Sequence, residues 1–394
     1  MDTFESQLLA LTTDEDDDLN QSNDDRTNPY ATPRSISEQE ALDANKAEGL
    51  IPNGRKTSGK TVTDLDARTI LEPLSVFRAM TADQISILSA PERLALNKGR
   101  ANLHNPRSVT NRLNLLRKAG LVESSFADAG RTLYGASRRG RAAALRFDRI
   151  EYADQINESG VHGIKTEHLA HLEAVNWVAA QAMSPETYPW QEGLRLPYKE
   201  LPLRLLRTEH QIAKEWDAIK RGLREQVRRN PDGPRMNFRD WRVKTLTDAR
   251  ARALNGEIQW NQLMRWYPGL WTLANYPEAL NQDTNQHHLP DLVIDLEDFR
   301  KSDKRLSIAI EVELNAKQLR AYEKQFAMWR NELSYVDKFK GATTFAKLIY
   351  FTNSPTVVKA LKTVASDLIE MKYLEIYPLT GRDGVTPLSL SNRT

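Results

Sequence analysis

Three acidic residues in the last third of the chain have types and spacing that suit phosphodiester chemistry. Asp291 precedes an apolar run at 292–296, and Glu311 and Glu313 lie two residues apart in a second run at 306–314. Alternate residues of a strand project to one side, so the glutamates share a face, and a hairpin would bring Asp291 to them. Such a cluster is costly unless it binds a cation, most often Mg²⁺ or Mn²⁺. An acidic structural network is the alternative.

Segments that favour strands and helices alternate around these acids and predict the domain that positions them. Beyond the two strands, helices are expected at 315–333 and 355–371, and strands at 347–352 and 373–379. Ser354 is placed to cap the second helix, and Pro355 takes its first position, where a missing N–H is tolerated. Residues 160–380 are therefore predicted to form a mixed sheet flanked by helices.

Composition limits the class of protein. The 394 residues suffice for two domains with sizeable cores, and their mixture of helical and strand-like segments predicts an α+β or α/β fold class. The chain has no cysteine, which excludes disulfides, thiolate zinc sites and cysteine nucleophiles. No apolar run approaches the roughly 20 residues of a membrane span. We therefore expect a cytoplasmic protein with no membrane partner.

Charge is distributed unevenly, although the formal net charge is only +2. Residues 1–60 carry 13 Asp and Glu against 6 Lys and Arg, whereas residues 61–150 carry 15 Lys and Arg against 8 Asp and Glu. Basic side chains displace counterions from phosphates, so the second region suits nucleic-acid binding. Residues 1–65 are polar and poor in aromatics, which predicts a disordered acidic tail and linker, and 381–394 is expected to be a C-terminal tail.

Residues 66–150 have the pattern of a winged helix-turn-helix. A first helix is expected at 70–80, a second begins after its N-cap Thr81, and a third starts at 106 and ends before Gly120. Two short strands that follow would form the wing. Apolar residues occupy one face of the third helix, and the other face has residue types that contact bases and phosphates. The candidate DNA contacts are Arg107, Ser108, Thr110, Asn111, Asn114, Arg117, Lys118, Arg131, Arg138 and Arg139. Protein–protein contact is the alternative use of such a domain.

Two intermediate segments admit more than one interpretation. A helix at 165–183 carries His168 and His171, but two histidines on a helix flank are more often packing or surface residues than zinc ligands. A helical insertion at about 208–285 is rich in tryptophan and arginine. Its aromatic side chains suit base stacking or partner binding, yet their spacing is also that of a small helical core, which we favour.

The basic domain and the C-terminal motif together resemble a known family. The stretches RLNLLRKAGLVE and GRTLYGASRRGR, and PDLVI followed by AIEVELNAKQLRAYEKQF, are similar to those of the replication-relaxation proteins of plasmids and mobile elements. The resemblance covers roughly residues 66–380, apart from the tryptophan-rich insertion. It implies an N-terminal winged helix and a C-terminal domain with the PD-(D/E)xK restriction-endonuclease-like fold.

The family's catalytic pattern carries over only in part. Asp291 matches the motif aspartate and Glu311 the second acid, but Glu313 stands where the motif has lysine. Some restriction endonucleases of this fold use a glutamate there, and Lys317, about one helical turn on, is the candidate for the missing cation. An acid from the leading helix often completes these sites. The candidates for that further metal ligand are Glu173, Glu167 and Glu209.

The resemblance implies a DNA-binding protein of plasmid or phage replication, relaxation or mobilisation. An active nuclease domain would hold Mg²⁺ or Mn²⁺ through Asp291 and Glu311. A regulator or assembly protein with an inactive nuclease fold is the alternative. A third hypothesis is an interaction protein that recruits a relaxase or replication protein through its tryptophan-rich insertion. A palindromic site would imply a homodimer, although no heptad pattern supports one.

Overall fold

The computed structural model describes residues 67–88, 106–126, 131–146, 160–162, 164–184, 186–192, 194, 203–230, 252, 255–257, 271, 273–274, 287–294, 307–334, 345–388 and 390. The tail predicted at 1–65, the tip of the predicted wing, most of the tryptophan-rich insertion and the last four residues lie outside these ranges. Within them the fold is mixed α and β with a mixed sheet, as the sequence predicts, and that sheet has five strands.

Residues 67–146 contribute short helices and a three-stranded sheet. A π-helical turn at Ala67–Leu71 leads into α1 (Glu72–Val76), and β1 (Met80–Thr81) precedes α2 (Ala82–Leu88). The longer helix α3 (Pro106–Lys118) is followed by β2 (Val122–Phe126), β3 (Thr132–Ala136) and α4 (Arg138–Arg146). Strand β3 pairs antiparallel with both β1 and β2. The apolar face predicted for the third helix, at Val109, Leu113 and Leu116, is buried.

Two local signals fix where α2 begins and α3 ends. Thr81 Oγ1 accepts a hydrogen bond from the Gln84 N–H at 3.3 Å, and Gln84 Oε1 accepts one from the Thr81 N–H at 2.9 Å, which is a capping box. After α3, Gly120 has a φ of +72° and donates to the Arg117 carbonyl, while Leu121 donates to the carbonyl five residues back. This Schellman motif favours glycine at its left-handed position.

Helix α5 (Thr166–Ala182) joins the N-terminal elements to the C-terminal sheet. Asn176 Nδ2 donates to the Ala79 carbonyl at 2.6 Å, and Gln84 Nε2 donates to the Glu173 carbonyl at 2.8 Å. Buried amides of this kind are costly to leave unpaired, so both bonds fix α5 against the N-terminal elements. A single apolar cluster extends from α3 through α5 to one face of the C-terminal sheet. The two units predicted from the sequence therefore share a core.

The elements after α5 include all five strands of the main sheet and a separate antiparallel pair of short strands. They are α6 (Pro189–Glu192), β4 (Leu206–Thr208), α7 (Glu209–Arg229), β5 (Leu273–Ala274), β6 (His287–His288), β7 (Leu292–Ile294), β8 (Ser307–Val312), α8 (Leu319–Ser334), β9 (Phe345–Phe351), α9 (Pro355–Val364), α10 (Ser366–Glu370) and β10 (Leu374–Tyr377). The order of the main sheet is β10-β9-β8-β7-β4, and the separate pair is β5 with β6. Strand β7 pairs antiparallel with β4 and β8, whereas β8, β9 and β10 are parallel and connected through helices.

Alternate residues of the central strands face two different helical layers. Ile308 and Ile310 belong to the cluster that contains α5, whereas Ala309 belongs to a second cluster with α8 and α9. The sheet is thus the middle of three layers. Trp216 and Trp271, from the predicted insertion, are fully buried in the second cluster, which agrees with the core role that we favoured.

The C-terminal elements lie close to their predicted positions, with one interruption. The helix predicted at 355–371 divides at Ala365, whose φ of −128° is not helical, into α9 and α10. Ser354 Oγ accepts from the Val357 N–H at 3.4 Å and caps α9, with Pro355 at its first turn, as predicted. Among the helices described, none combines the length and apolar character that a membrane crossing requires.

Candidate functional site

A cleft of about 950 Å³ lies where β7 begins and β8 ends. We call it the acidic cleft, because Glu209, Asp291, Glu311 and Glu313 all line it. The lining also includes residues of α5, the start of α7, the β6–β7 segment and the link between α1 and β1. All four residues predicted to be catalytic, Asp291, Glu311, Glu313 and Lys317, lie here.

Asp291 reaches the cleft through the pairing of β7 with β8. Leu292 pairs with Ile310, which brings Asp291, one residue earlier, to the end of β8. Asp291 Oδ2 accepts a hydrogen bond from the Val312 N–H at 2.7 Å, and His171 Nε2 of α5 lies 3.3 Å from the same oxygen. The Asp291 carboxylate is therefore held between a strand and α5.

His171 is the cationic partner of Asp291. Its Nε2 also lies 3.0 Å from the Val312 carbonyl oxygen. Burial disfavours the charged imidazole, but the charge of Asp291 and the hydrogen bonds to Asp291 and Val312 outweigh it and raise the pKa of His171 to about 9. His171 is thus protonated at neutral pH.

Glu311 is buried and paired with His288. His288 Nε2 lies 2.5 Å from Glu311 Oε1, and Gln325 Nε2 of α8 lies 2.9 Å from the same histidine nitrogen. Burial raises the pKa of Glu311 to about 7, against the opposing charge of His288. Burial lowers and Glu311 raises the pKa of His288, with a net increase. One proton shared by the two groups keeps the pair electrically neutral.

Glu313 and Glu209 complete the acidic set. Lys317 Nζ lies 2.5 Å from Glu313 Oε2. Burial raises the pKa of Glu313 even though Lys317 opposes the shift. Glu209 is the first residue of α7, and its N–H donates to the Asp291 carbonyl at 3.2 Å. Burial and the charge of Asp291 raise the pKa of Glu209.

Glu173 is not part of the acidic cleft. Two residues along a helix correspond to a rotation of about 200°, so Glu173 faces away from the side of α5 that carries His171. Glu173 Oε1 instead lies 2.7 Å from Arg131 Nη1, a residue predicted to contact DNA from the wing. Arg131 is therefore engaged by α5. The alternative acid Glu167 is exposed, and of the three acids proposed for the leading position only Glu209 lies in the cleft.

The acidic cleft has the donor types that Mg²⁺ prefers, but each of its motif acids is already engaged. Carboxylate and carbonyl oxygens are hard ligands. In this arrangement Asp291 is held by the Val312 N–H and His171, Glu311 by His288, and Glu313 by Lys317. No group of three or more His, Asp or Glu side chains within the described ranges is arranged to hold a metal ion. The residues present therefore do not fit a bound ion, and the neutralising charges come from the chain itself.

The predicted DNA contacts lie mainly on the outer face of α3. Arg107, Ser108, Asn111, Arg117 and Lys118 are exposed, while Thr110 and Asn114 are half-buried. Arg117 Nη1 donates to Ser124 Oγ in the middle of β2 at 3.1 Å. Arg138 and Arg139 are exposed at the start of α4, and Arg139 approaches Gly120 at the end of α3. The basic residues of the two helices therefore adjoin.

The sequence-based assignment omitted two partners of the acids. His288 was visible only as one of two histidines shortly before Asp291. His171 shares a stripe at helical spacing with His168, Leu172 and Val175, all of which line the cleft. Such a stripe could have indicated which side of α5 faces the site, but it does not identify the acid that His171 meets.

The chain matches no protein-family model, no curated protein and no solved structure. A functional assignment therefore has to come from the cleft and from the exposed face of α3.

Proposed function

We propose that this chain is a DNA-binding protein of plasmid or phage replication, relaxation or mobilisation. In this proposal residues 66–150 form a winged helix-turn-helix that binds double-stranded DNA. Residues 160–380 form a restriction-endonuclease-like domain with an insertion at about 208–285. The observation that carries the proposal is the exposed polar and basic face of α3, which is opposite its buried apolar face.

The side chains on this face suit both kinds of DNA contact. Arg107, Arg117 and Lys118 have the charge to neutralise phosphates, and Asn111 has the amide that can pair with an adenine edge in the major groove. The centre of a protein–protein interface is usually more apolar and poorer in charged residues than the rest of the surface, whereas no large exposed hydrophobic residue lies on the described part of α3. DNA is therefore the partner that this face favours.

For the C-terminal domain, we infer that the acidic cleft is nuclease-like in architecture and inactive in the arrangement described. Asp291 before one strand and Glu311 at the end of the next agree with the motif positions on which the resemblance rests. Position 313 lacks the motif lysine, and His288 and Lys317 are already paired with Glu311 and Glu313. A DNA-binding regulator or assembly protein does not require an active nuclease site, so an inactive cleft is consistent with that role.

A metal-dependent DNA nuclease remains the second candidate, because four carboxylates converge in one cleft. It requires Mg²⁺ or Mn²⁺ as a cofactor, and that ion would have to displace His288 or Lys317 from the acids. A relaxase or replication protein, a second copy of this chain as a homodimer, and a cytoplasmic location are further parts of the proposal. The partner protein rests on the resemblance, the homodimer on a palindromic DNA site, and the cytoplasmic location on composition.

Selection from a random duplex library tests sequence reading by α3. The full chain should enrich one DNA site, and Asn111→Ala with Asn114→Ala should lose that enrichment while retaining weak, salt-sensitive binding, because phosphate contacts carry no sequence information. Enrichment of the same site by both proteins would contradict base reading by this helix. Absence of DNA binding by the unmodified chain would refute the proposal as a whole.

Nicking of supercoiled plasmid in the presence of Mn²⁺ separates the two candidates for the acidic cleft. The favoured candidate predicts no nicking above that of Asp291→Asn with Glu311→Gln. Nicking by the unmodified chain that this double variant lacks would establish the nuclease instead.

A further inference from the structure

Arg78 is an unusual residue at the boundary between the N-terminal elements and the acidic cleft. It lies in the short link between α1 and β1, and it lines the cleft with the acids. Its φ is +66°, and Lys372 is the other non-glycine residue with a positive φ within the described ranges. Side chains destabilise this left-handed conformation, which glycine adopts freely.

The surrounding backbone holds Arg78 in this conformation. A Cβ atom placed on Gly135 of β3 would lie 2.7 Å from the Arg78 carbonyl oxygen, so the link passes very close to that strand. Asn176 of α5 binds the carbonyl of the next residue, Ala79. An arginine kept where glycine would be unstrained indicates that its side chain has a use, since backbone strain concentrates at functional positions.

The Arg78 guanidinium is positioned but incompletely paired. Its Nε donates to the Gly160 carbonyl at 3.2 Å, which fixes the side chain just before α5. Its two terminal amino groups have no hydrogen-bond partner in the part of the chain that the structure describes. An arginine fork offers five N–H donors and suits phosphate, so several of these donors remain available to an anion in the cleft.

The charges around Arg78 allow an anion to enter the acidic cleft, although four carboxylates line it. Glu311 and Glu313 are paired with His288 and Lys317. Lys165, three-quarters exposed, lines the cleft as a further cation, with its Nζ 3.7 Å from Glu167. Three of the four acids are therefore paired with a basic side chain, since His171 pairs with Asp291 in the same way.

We propose that Arg78 binds a backbone phosphate of a DNA strand that enters the acidic cleft. Arg78 thus adds a DNA contact inside the cleft to those on the outer face of α3. This inference rests on the proposed DNA-binding function and deepens it, because it assigns a phosphodiester strand as the ligand of the cleft. Arg78 belongs to the N-terminal elements, so DNA in the cleft would contact both parts of the molecule.

The test compares Arg78→Gly with Lys372→Gly in the full chain. Both changes remove one positive charge at a positive φ, and Lys372 lies far along the chain between α10 and β10, outside the cleft lining. The probe is a short fluorescein-labelled oligothymidylate, and the readouts are anisotropy over a range of salt concentrations and the thermal midpoint. Glycine relieves the strain at both positions, so both midpoints should stay within about 3 °C of the unmodified chain.

The two variants should differ in oligothymidylate binding. Loss of one phosphate contact on a single strand should flatten the slope of log K against log salt by about 0.7, which corresponds to about fivefold weaker binding at 0.1 M salt. Only Arg78→Gly should show this loss, and Arg78→Lys should restore the slope. Equal binding by both glycine variants, or no oligothymidylate binding by the unmodified chain, would overturn the proposal. So would a large fall in the midpoint of Arg78→Gly alone, because it would indicate a structural role.

Failure of this inference can be distinguished from failure of the proposed function. Replacing Arg117 and Lys118 by alanine should weaken duplex binding while leaving oligothymidylate binding intact. If duplex binding behaves as proposed and Arg78→Gly has no effect, only the assignment of the cleft fails. If the unmodified chain does not bind duplex DNA, the proposed function itself fails.

Discussion

The ion pair between His171 and Asp291 should make part of the protein's stability depend on pH. The pKa of His171 is raised from 6.5 to about 9, mainly because Asp291 outweighs the effect of burial. A tenfold change in proton affinity is worth about 1.4 kcal/mol, so the upper limit is about 3 kcal/mol. The His171 side chain is 37% exposed, and solvent screening reduces the expected contribution to about 1–2 kcal/mol.

The sign follows from the direction of the shift. A histidine whose pKa is higher in the folded state binds its proton more tightly there, so the contribution is complete below pH 6.5 and is lost as the pH rises through about 9. His171→Gln removes the charge and keeps an amide that can donate to Asp291. The variant should therefore be less stable by about 1–2 kcal/mol at pH 6 and about equal to the unmodified protein at pH 10.

Urea unfolding followed by tryptophan fluorescence at the two pH values measures this difference. His168→Gln is the matched control, since His168 lies one turn earlier on α5, is largely exposed and lies 3.4 Å from the exposed Glu167. The control should change the free energy of unfolding little at either pH. A loss for His171→Gln that is equal at pH 6 and pH 10 would refute the ion-pair argument and indicate a packing role.

Three further outcomes follow from other contacts. Thr81→Ala should lower the free energy of unfolding by about 1 kcal/mol in the same urea assay, because it removes half of a capping box, and an unchanged value would contradict that role. Gly120→Ala should cost about 1 kcal/mol, because alanine is strained at a φ of +72°; no loss there would mean that the Schellman turn rearranges freely. In calorimetry at pH 7, Mn²⁺ should give no binding heat with the unmodified chain, since its acids are already paired. His288→Gln with Lys317→Met should gain Mn²⁺ binding that a further Asp291→Ala abolishes, and binding by the unmodified chain would contradict the self-neutralised site.

Local signals in the sequence were sufficient for much of the scaffold. The apolar run around Ile308 and Ile310 identifies a buried strand, and the Ser354-Pro355 pair fixes the start of a helix through contacts within a few residues. The glycine at 120 likewise marks the end of α3 through a backbone conformation that other residues disfavour. These features depend on neighbours along the chain, and they are therefore readable without the fold.

The partners of the acids depend on the fold and were not readable in this way. His288 meets Glu311 across 23 positions of sequence, and His171 meets Asp291 across 120. The helical spacing of α5 separates His171 from Glu173, but it does not show that His171 meets Asp291 or that Glu173 meets Arg131. Only the packing of α5 between the N-terminal elements and the sheet determines these partners.

The proposed DNA-binding function is tested most directly by duplex binding of the full chain as salt is varied. The comparison is between Arg107, Arg117 and Lys118 replaced together by alanine and a control in which the exposed lysines Lys359, Lys362 and Lys372 are replaced in the same way. Loss of three phosphate contacts should flatten the slope of log K against log salt by about 2.7 in the α3 variant, and the control should keep the original slope. Equal slopes for the two variants, or no binding by the unmodified chain, would contradict the proposal that α3 places this protein on DNA.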